Sequence, residues 1–217
     1  MQNNKKNLCT FYIVRHGETE WNVKKIIQGQ RNVPLNKNGE KQAVEVAKKL
    51  KHTQFRAIFS SDLARAKSTA EIIAQKHNLS VITNVLLREK KLGQFEGKST
   101  QLLKIMNKEY EKLTKNKRIQ YKLRFNIEDN DDLIKRCIKF FKETALTHKG
   151  NKVLVVTHAG LMRVLLIHLG MVIQYGGIKN GEYIKLISNG NDLSIVKSKE
   201  FFFKRKNDVD IDHVFSE

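Results

Sequence analysis

Proline and cysteine are scarce in this chain of 217 residues, and each scarcity excludes a class of protein. Pro34 is the only proline, and no Gly/Ser-rich or Pro-rich linker divides the chain, so we expect a single domain over residues 1–217. The two cysteines, Cys9 and Cys137, are too few for a disulfide framework. Cys137 also falls on an apolar helical stripe, which predicts a small core residue.

Long apolar runs are missing as well. No uncharged stretch is long enough to span a bilayer, and the N-terminus MQNNKKNLCT is polar where a secretory signal would be apolar. We therefore expect a cytoplasmic protein without a membrane partner.

Acidic residues are few relative to basic ones. Asp and Glu number 22 against 41 Lys and Arg, which gives a formal net charge of +19. A field of this sign attracts anionic ligands, whether phosphorylated metabolites, nucleic acids or acidic membranes. The lysines are spread along the chain, and no zinc-finger, RNA-recognition or helix-turn-helix pattern accompanies them. We therefore interpret the charge as a general surface property and expect no nucleic-acid partner.

Short apolar, β-rich runs alternate with amphipathic helical patterns. This alternation predicts an α/β fold, a three-layer α/β/α sandwich with a mostly parallel central sheet of about six strands. The predicted strands are 10–14, 56–60, 81–83, 152–157, 183–187 and 193–196. The predicted helical stripes are Ala43, Val44, Ala47 and Leu50; Leu63, Ala66, Ala70 and Ile73; Ile134, Cys137, Ile138, Phe141 and Ala145; and Leu161, Leu165 and Leu169.

Two segments depart from the alternation. Residues 98–124 are Lys-rich and mostly helical with weaker periodicity, and we expect a helical insertion over the site that shapes substrate choice. The alternative is a solvated helical pair with no functional task. Residues 197–217 form a C-terminal tail, in which 201–206 (FFFKRK) either make an amphipathic surface anchor or cover an edge of the sheet. The sequence does not distinguish a monomer from a homodimer.

The first predicted strand ends in Arg15-His16-Gly17-Glu18-Thr19, followed by Trp21 and Asn22. Ligands of α/β sheets bind beyond the carboxyl ends of the strands, where this run falls. Arg15 offers a charged fork for phosphate and His16 an imidazole able to attack it. A lone histidine here is more often a hydrogen-bonded structural residue, but the full run is far more specific.

A second run, Ser60-Ser61-Asp62-Leu63-Ala64-Arg65-Ala66, follows the second strand. Ser61 or Asp62 is expected to cap the next helix. Arg65 would then lie in the first helical turn and make a second bidentate phosphate contact. The alternative is an Arg on the surface of the helix.

A third run, LREKKLGQFEG over residues 87–97, places Glu89 in a loop that leads into two glycines. A carboxylate here could act as a general acid. Because three basic residues flank it, Glu89 could equally be a surface ion-pair partner.

The fourth run is VLVVTHAG over residues 153–160, an apolar strand that ends at His158 and passes directly into a helix. The free N–H groups at the start of that helix and a positively disposed imidazole predict an anion site that includes His158 and Ala159.

Together the four runs resemble the histidine phosphatase superfamily, which also contains the cofactor-dependent phosphoglycerate mutases. The resemblance covers about residues 10–196 and implies a phosphoglycerate mutase-like fold. It implies that His16 is phosphorylated during turnover of a small phosphorylated metabolite and that Glu89 donates the proton. It also implies that the phosphate is bound without metal or cofactor. The implied phosphate-binding residues are Arg15, His16, Asn22, Gln28, Gly29, Arg65, His158 and Ala159.

Two positions bear on the branch within the superfamily. Mutases usually have Trp directly after the glycine of the loop and Tyr shortly after the acid, whereas this chain has Gln30 and Leu92. Segments 25–30, 59–63 and 87–91 are similar to the fructose-2,6-bisphosphatase or TIGAR-like branch, and also to broad-specificity bacterial phosphatases and α-ribazole phosphatases. We therefore expect a phosphatase, with a mutase or a module that binds a phosphorylated ligand without turnover as alternatives.

Overall fold

A computed structural model describes residues 7–172, 178–196 and 204–205 of the chain. Two sheets are formed. The strands are β1 (Cys9–Arg15), β2 (Ala57–Ser60), β3 (Val81–Thr83), β4 (Lys152–Thr157), β5 (Met171–Val172), β6 (Tyr183–Ser188), β7 (Leu193–Ile195) and β8 (Lys204–Arg205). The helices are α1 (Glu20–Val23), α2 (Lys37–Leu50), α3 (Ala64–Ala74), α4 (Thr100–Glu111), α5 (Lys115–Phe125), α6 (Asn130–Thr147) and α7 (Ala159–His168).

The main sheet has six strands in the order β3-β2-β4-β1-β6-β7. The pairs β3–β2, β2–β4 and β4–β1 are parallel, and β6 is antiparallel to both β1 and β7. The six predicted strands are thus all present, and the mostly parallel sheet is confirmed. Strands β5 and β8 pair separately as a two-stranded antiparallel sheet.

Helices cover both faces of this sheet. Successive side chains of a strand point to opposite faces, so β1 sends Phe11 and Ile13 into one core and Tyr12 and Val14 into the other. The first core is completed by α6 and α7, and the second by α2 and α3. The predicted three-layer α/β/α sandwich is therefore confirmed, although Val44, expected on a buried stripe, is 40% exposed.

Both cysteines are buried and unbonded. Cys137 packs in the first core, as predicted. Burial raises the pKa of each thiol to about 12, so both stay protonated at neutral pH. Neither is therefore a thiolate nucleophile.

The expected cap of α3 is wrong. The N-cap residue is Leu63, and the hydroxyl of Ser61 accepts only the Leu63 N–H at 3.3 Å. Asn32, from a distant loop, instead accepts the Ala64 N–H at 2.7 Å. Asp62 is unable to cap because its carboxylate is bound by the guanidinium of Arg88.

The stretch 98–124 contains α4 and most of α5. Backbone hydrogen bonds join its start to the loop after α1, from Ile27 N–H to Lys98 O and from Thr100 N–H to Lys25 O, each at 2.8 Å. Ile27 and Phe95 form a small apolar cluster with side chains of both helices, among them Tyr121. The two helices are therefore packed on the loop that carries residues 25–29.

Among the described residues no helix is long and apolar enough to cross a membrane. The predicted tail, 197–217, lies outside the described residues except for β8.

Candidate active site

The first and fourth sequence runs meet because their strands are neighbours. In the parallel register of β1 and β4, Arg15 lies opposite Thr157, so His16 and His158 follow side by side. Their ring centroids are 5.1 Å apart and the rings are inclined by 58°. This places two histidines at the carboxyl edge of the sheet, where the sequence predicted the site.

His16 is held as one tautomer. Its Nδ1 lies 2.7 Å from the carbonyl oxygen of Gly17, and a carbonyl only accepts, so Nδ1 carries the proton. The other nitrogen, Nε2, accepts from Nε of Arg65 at 3.3 Å. Burial, and then the charges of Arg65 and Arg15, lower the pKa of His16 well below its usual value. The ring is therefore neutral at pH 7, and its lone pair is on Nε2, the atom that faces the Arg65 guanidinium.

Arg65 is fully buried, so the alternative of a surface Arg is wrong. Besides His16, its guanidinium donates to the carbonyl oxygens of Gly29 at 2.7 Å and Arg31 at 2.8 Å. Burial lowers its pKa to about 10, which leaves the group charged at neutral pH. Arg65 therefore ties the loop around Gly29 to the nucleophile and gives the site a fixed positive charge.

Arg15 and His158 have buried polar atoms without partners among the described residues. Arg15 donates from Nη1 to Ile178 O at 2.6 Å, while its Nε is buried and has no partner among the described residues. Both ring nitrogens of His158 are likewise buried and unpartnered within that part of the chain. A buried donor without a partner costs about 1–3 kcal/mol, so these atoms are groups that a bound anion would satisfy.

His158 is neutral rather than positively disposed, which corrects the sequence-based expectation. Burial lowers its pKa well below the usual value, and the nearby charge of Arg65 acts in the same direction. It occupies the N-cap position of α7 but makes no side-chain cap, and it lies beside His16 rather than on the cavity wall described below.

Glu89 occupies the N-terminus of α7, where the sequence had placed the phosphate. One carboxylate oxygen accepts the Gly160 N–H at 3.0 Å, and the other accepts the N–H groups of Leu161 at 3.0 Å and Lys90 at 2.8 Å. Its basic neighbours are engaged elsewhere: Arg88 binds Asp62 and Lys91 donates to an asparagine. Glu89 is thus not a surface ion-pair partner.

A cavity of about 330 Å³ opens onto these groups. It contains every sequence-predicted site residue except His158. Asn22 reaches it from α1, where its side-chain oxygen accepts from the backbone and hydroxyl of Thr19. The lining residues are Arg15, His16, Asn22, Ile26, Ile27, Gln28, Gly29, Arg65, Glu89, Lys90, Leu92, Thr100, Ala159 and Gly160.

Two polar lining residues, Lys90 and Thr100, were not predicted as site residues. Lys90 follows the acid in sequence, but its side-chain direction is not readable from the sequence. Burial, and then the charge of Lys122, lower the pKa of Lys90. Thr100 begins α4, so the insertion contributes directly to the cavity wall.

Within the described ranges, no group of three or more His, Cys, Asp or Glu side chains is arranged to hold an ion. Arg15 and Arg65 supply positive charge for an anion, whereas the ammonium group of Lys90 donates to Asn130 at 2.6 Å.

Residues 11–197 match the family model described as the histidine phosphatase superfamily (branch 1). Phosphoglycerate mutase-like protein 4 of Arabidopsis thaliana is 39% identical over 155 residues, which are 70% of this chain and 67% of that protein. The probable phosphoglycerate mutase GpmB of Proteus mirabilis is 46% identical over 101 residues, 46% of this chain and 47% of GpmB. This second alignment thus spans about half of the relative.

Two solved structures share the fold. A phosphoglycerate mutase from Bacillus anthracis str. Sterne has a TM-score of 0.76 at 24% identity, covering 91% of this chain and 95% of that one. A mycobacterial glucosyl-3-phosphoglycerate phosphatase, in complex with VO3, has a TM-score of 0.67 at 25% identity, covering 82% and 90%. The superfamily expected from the four runs is confirmed, whereas the fructose-2,6-bisphosphatase-like branch stays a prediction.

Proposed function

Because this chain belongs to the histidine phosphatase superfamily, we propose that it hydrolyses a phosphate monoester of a small metabolite through a phosphorylated His16. The observation that carries the proposal is the fixed tautomer of His16. With Nδ1–H bonded to Gly17 O, the lone pair is on Nε2, where it accepts one long hydrogen bond from Arg65 that an attacking Nε2 would give up. A neutral imidazole in this state is a nucleophile without further activation.

In the first step Nε2 of His16 attacks phosphorus in line and the bond to the ester oxygen breaks. Glu89, which also lines the cavity and enters this step protonated, gives its proton to the departing alkoxide, which leaves as the alcohol. In the second step water attacks the phosphoryl group, the N–P bond breaks and Glu89 takes the proton of the water. Inorganic phosphate leaves and His16 returns to its neutral form.

The phosphoryl oxygens need donors throughout both steps. Nε of Arg15 and one N–H of His158 are buried without partners in the described part of the chain, which supports this assignment. Arg65 donates to Nε2 of His16, and because Arg65 is buried, salt in the solvent screens its charge only weakly. Because these groups are fixed before the substrate arrives, they stabilise the developing charge without reorganisation and without a metal ion.

The cavity supports a small anionic substrate. Its volume is at the lower end for small-molecule sites, and three basic residues, Arg15, Arg65 and Lys90, are among those that line it. We propose a sugar phosphate or a phosphoglycerate-type ester, with fructose-2,6-bisphosphate among the candidates. A cytoplasmic location is part of this proposal, and the two unbonded cysteines agree with it.

A phosphoglycerate mutase is the second candidate, favoured by the similarity to phosphoglycerate mutase-like protein 4, the 39% identical relative. A mutase must return the phosphoryl group to a bound ligand and exclude water. The mutase-typical Trp and Tyr are replaced by Gln30, whose side chain donates to Glu89 O at 3.0 Å, and by Leu92 on the cavity wall. These replacements favour hydrolysis.

Phosphate release from a panel of small phosphomonoesters, measured in EDTA, tests the proposal. Wild type is expected to release phosphate and His16→Asn to release none, because Asn replaces the donor to Gly17 O but has no nucleophilic nitrogen. The loss is expected to be at least about a thousand-fold. Release by His16→Asn at the wild-type rate contradicts the mechanism. Isomerisation of 3-phosphoglycerate with a bisphosphorylated primer, but no release from any ester, assigns the mutase instead.

A further inference from the structure

We propose that Arg136 is a positioning residue for the acid Glu89, and that it acts through an ion pair with Glu128. This inference rests on the proposed function, because it gives Arg136 a role only through the proton that Glu89 transfers. Neither residue lines the cavity.

Arg136, on α6, is bonded to two main-chain carbonyls of residues 86–91, the segment that carries Glu89 and is called the acid loop below. Its Nη1 donates to Leu86 O at 2.6 Å and its Nη2 to Glu89 O at 3.1 Å. Only 16% of the Arg136 side chain is exposed. One guanidinium therefore fixes the carbonyl of the acid itself and the carbonyl three residues before it.

Glu128 holds the far side of the same loop. Its carboxylate accepts from Arg136 at 2.6 and 3.0 Å, and one of its oxygens also accepts the Lys91 N–H at 3.0 Å. The Glu128 N–H donates to Lys91 O at 2.9 Å. The pair thus bonds the loop at residues 86, 89 and 91, in a geometry that only a planar bidentate guanidinium can make.

The position of Glu89 depends on this attachment. Its carboxylate meets the start of α7 through two hydrogen bonds of 3.0 Å, from the N–H groups of Gly160 and Leu161, so a small shift of the loop would break that geometry. Glu128 lies in the connection between α5 and α6, at the end of the insertion. The ion pair therefore links the acid to the segment where the insertion rejoins the sandwich.

The choice of leaving group separates positioning from general structural support. 4-Nitrophenolate leaves without needing a proton, whereas an alkoxide needs the general acid. We compare kcat/KM for 4-nitrophenyl phosphate with kcat/KM for the best alkyl phosphate of the panel, in wild type, Arg136→Met and Glu89→Gln. This ratio reports the steps up to phosphorylation of His16 and excludes the later step, common to both esters, in which Glu89 acts as the base. In Arg136→Met, kcat/KM is expected to fall about ten-fold or more for the alkyl ester and no more than about three-fold for the nitrophenyl ester. The fall for the alkyl ester is part of what general acid catalysis by Glu89 contributes in full.

A double variant gives a second readout. Because Arg136 acts through Glu89, adding Arg136→Met to Glu89→Gln should change kcat/KM for the alkyl ester by less than about two-fold. Arg136→Lys, which keeps the charge and one donor, should recover part of the activity. Equal losses on both esters, or multiplicative losses in the double variant, overturn the inference while leaving the proposed function intact. A wild type inactive on every ester refutes the proposed function and this inference with it.

Arg118→Met is the matched control. Arg118 also donates to two backbone carbonyls, those of Tyr110 at 3.2 Å and Glu111 at 2.6 Å, but it makes no bond to the acid loop. The ratio of the rates of Arg118→Met on the alkyl and nitrophenyl esters, its leaving-group selectivity, should equal that of wild type. If Arg136→Met does not fold, as judged by circular dichroism, Glu128→Gln is used. This variant keeps the shape and an acceptor for the Lys91 N–H, and it should show the same selectivity to a smaller extent. Unchanged selectivity in Glu128→Gln overturns the inference.

Discussion

A carboxylate oxygen of Glu89 accepts the backbone N–H of Gly160 at 3.0 Å, across a separation of 71 residues. A Cβ atom added at residue 160 would lie 2.4 Å from the other oxygen of that carboxylate. The proposed acid is therefore held by the helix that begins directly after His158. This contact joins the third and fourth sequence runs.

Gly160→Ala should displace the Glu89 carboxylate, because the new methyl group would overlap it. We expect kcat for alkyl phosphates to fall by about ten- to a hundred-fold, within the range that general acid catalysis contributes. Steady-state phosphate release checks this. Glu89→Gln is the reference variant. Adding Gly160→Ala to it should change kcat little, because the carboxylate that the methyl group displaces is already absent. A Gly160→Ala enzyme with wild-type kcat would show that the carboxylate does not need this position.

Arg65→Lys should impair turnover although the charge is kept. Lys has no planar fork, so it cannot bind His16, Gly29 O and Arg31 O at once. We expect kcat to fall about a hundred- to a thousand-fold, as for loss of one preorganised donor. Arg163→Lys, at an exposed position, is the control and should match wild type. A loss smaller than about three-fold would remove Arg65 from the proposed phosphoryl site.

Acidification should destabilise the fold through the buried histidines. The pKa values of His16 and His158 are lowered in the folded chain, whereas an unfolded histidine titrates near 6.5. Below that pH the unfolded state binds protons that the native state does not, so the free energy of unfolding falls as pH falls. Each histidine contributes a slope of at most about 1.4 kcal/mol per pH unit, and the contribution is fully present above about pH 7.

Urea unfolding at pH 7.5, 6.5 and 5.5 measures this slope. His158→Gln should reduce it by up to about 1.4 kcal/mol per pH unit. The pKa of His77 is also lowered by burial, but His77 is present in both proteins and cancels from the comparison. Identical slopes for wild type and variant would mean that His158 is not held neutral by burial.

Asn32→Ala should lower stability by about 1 kcal/mol, because it removes the side chain that caps α3 at Ala64. Arg65 lies in the first turn of that helix, so turnover should fall modestly as well. Urea denaturation and phosphate release check the two effects. Asn116→Ala, at an exposed position in α5, is the control and should change stability by less than about 0.5 kcal/mol.

The sequence was sufficient to predict the fold class and the six main strands. Apolar side chains recur at the strand and helix periods, and the two-sided burial of β1 and β4 follows from that pattern. The resemblance to the superfamily implied that His16 and His158 share one pocket, and the structure gives the reason, because the carboxyl ends of the parallel neighbours β1 and β4 share one edge. Local periodicity therefore predicted the elements, whereas the specific motifs predicted the site.

Contacts between distant segments were decided by the tertiary structure alone. The cap of α3 comes from Asn32 rather than from Ser61 or Asp62, and the start of α7 receives Glu89 rather than the expected phosphate. The bonds of Arg136 to the acid loop span 47 and 50 residues and leave no local pattern. Which polar group satisfies a helix end or a loop carbonyl depends on which segments the closed fold brings within hydrogen-bond distance. Burial then sets the charge of each group, which is why His158 is neutral where the sequence suggested a cation.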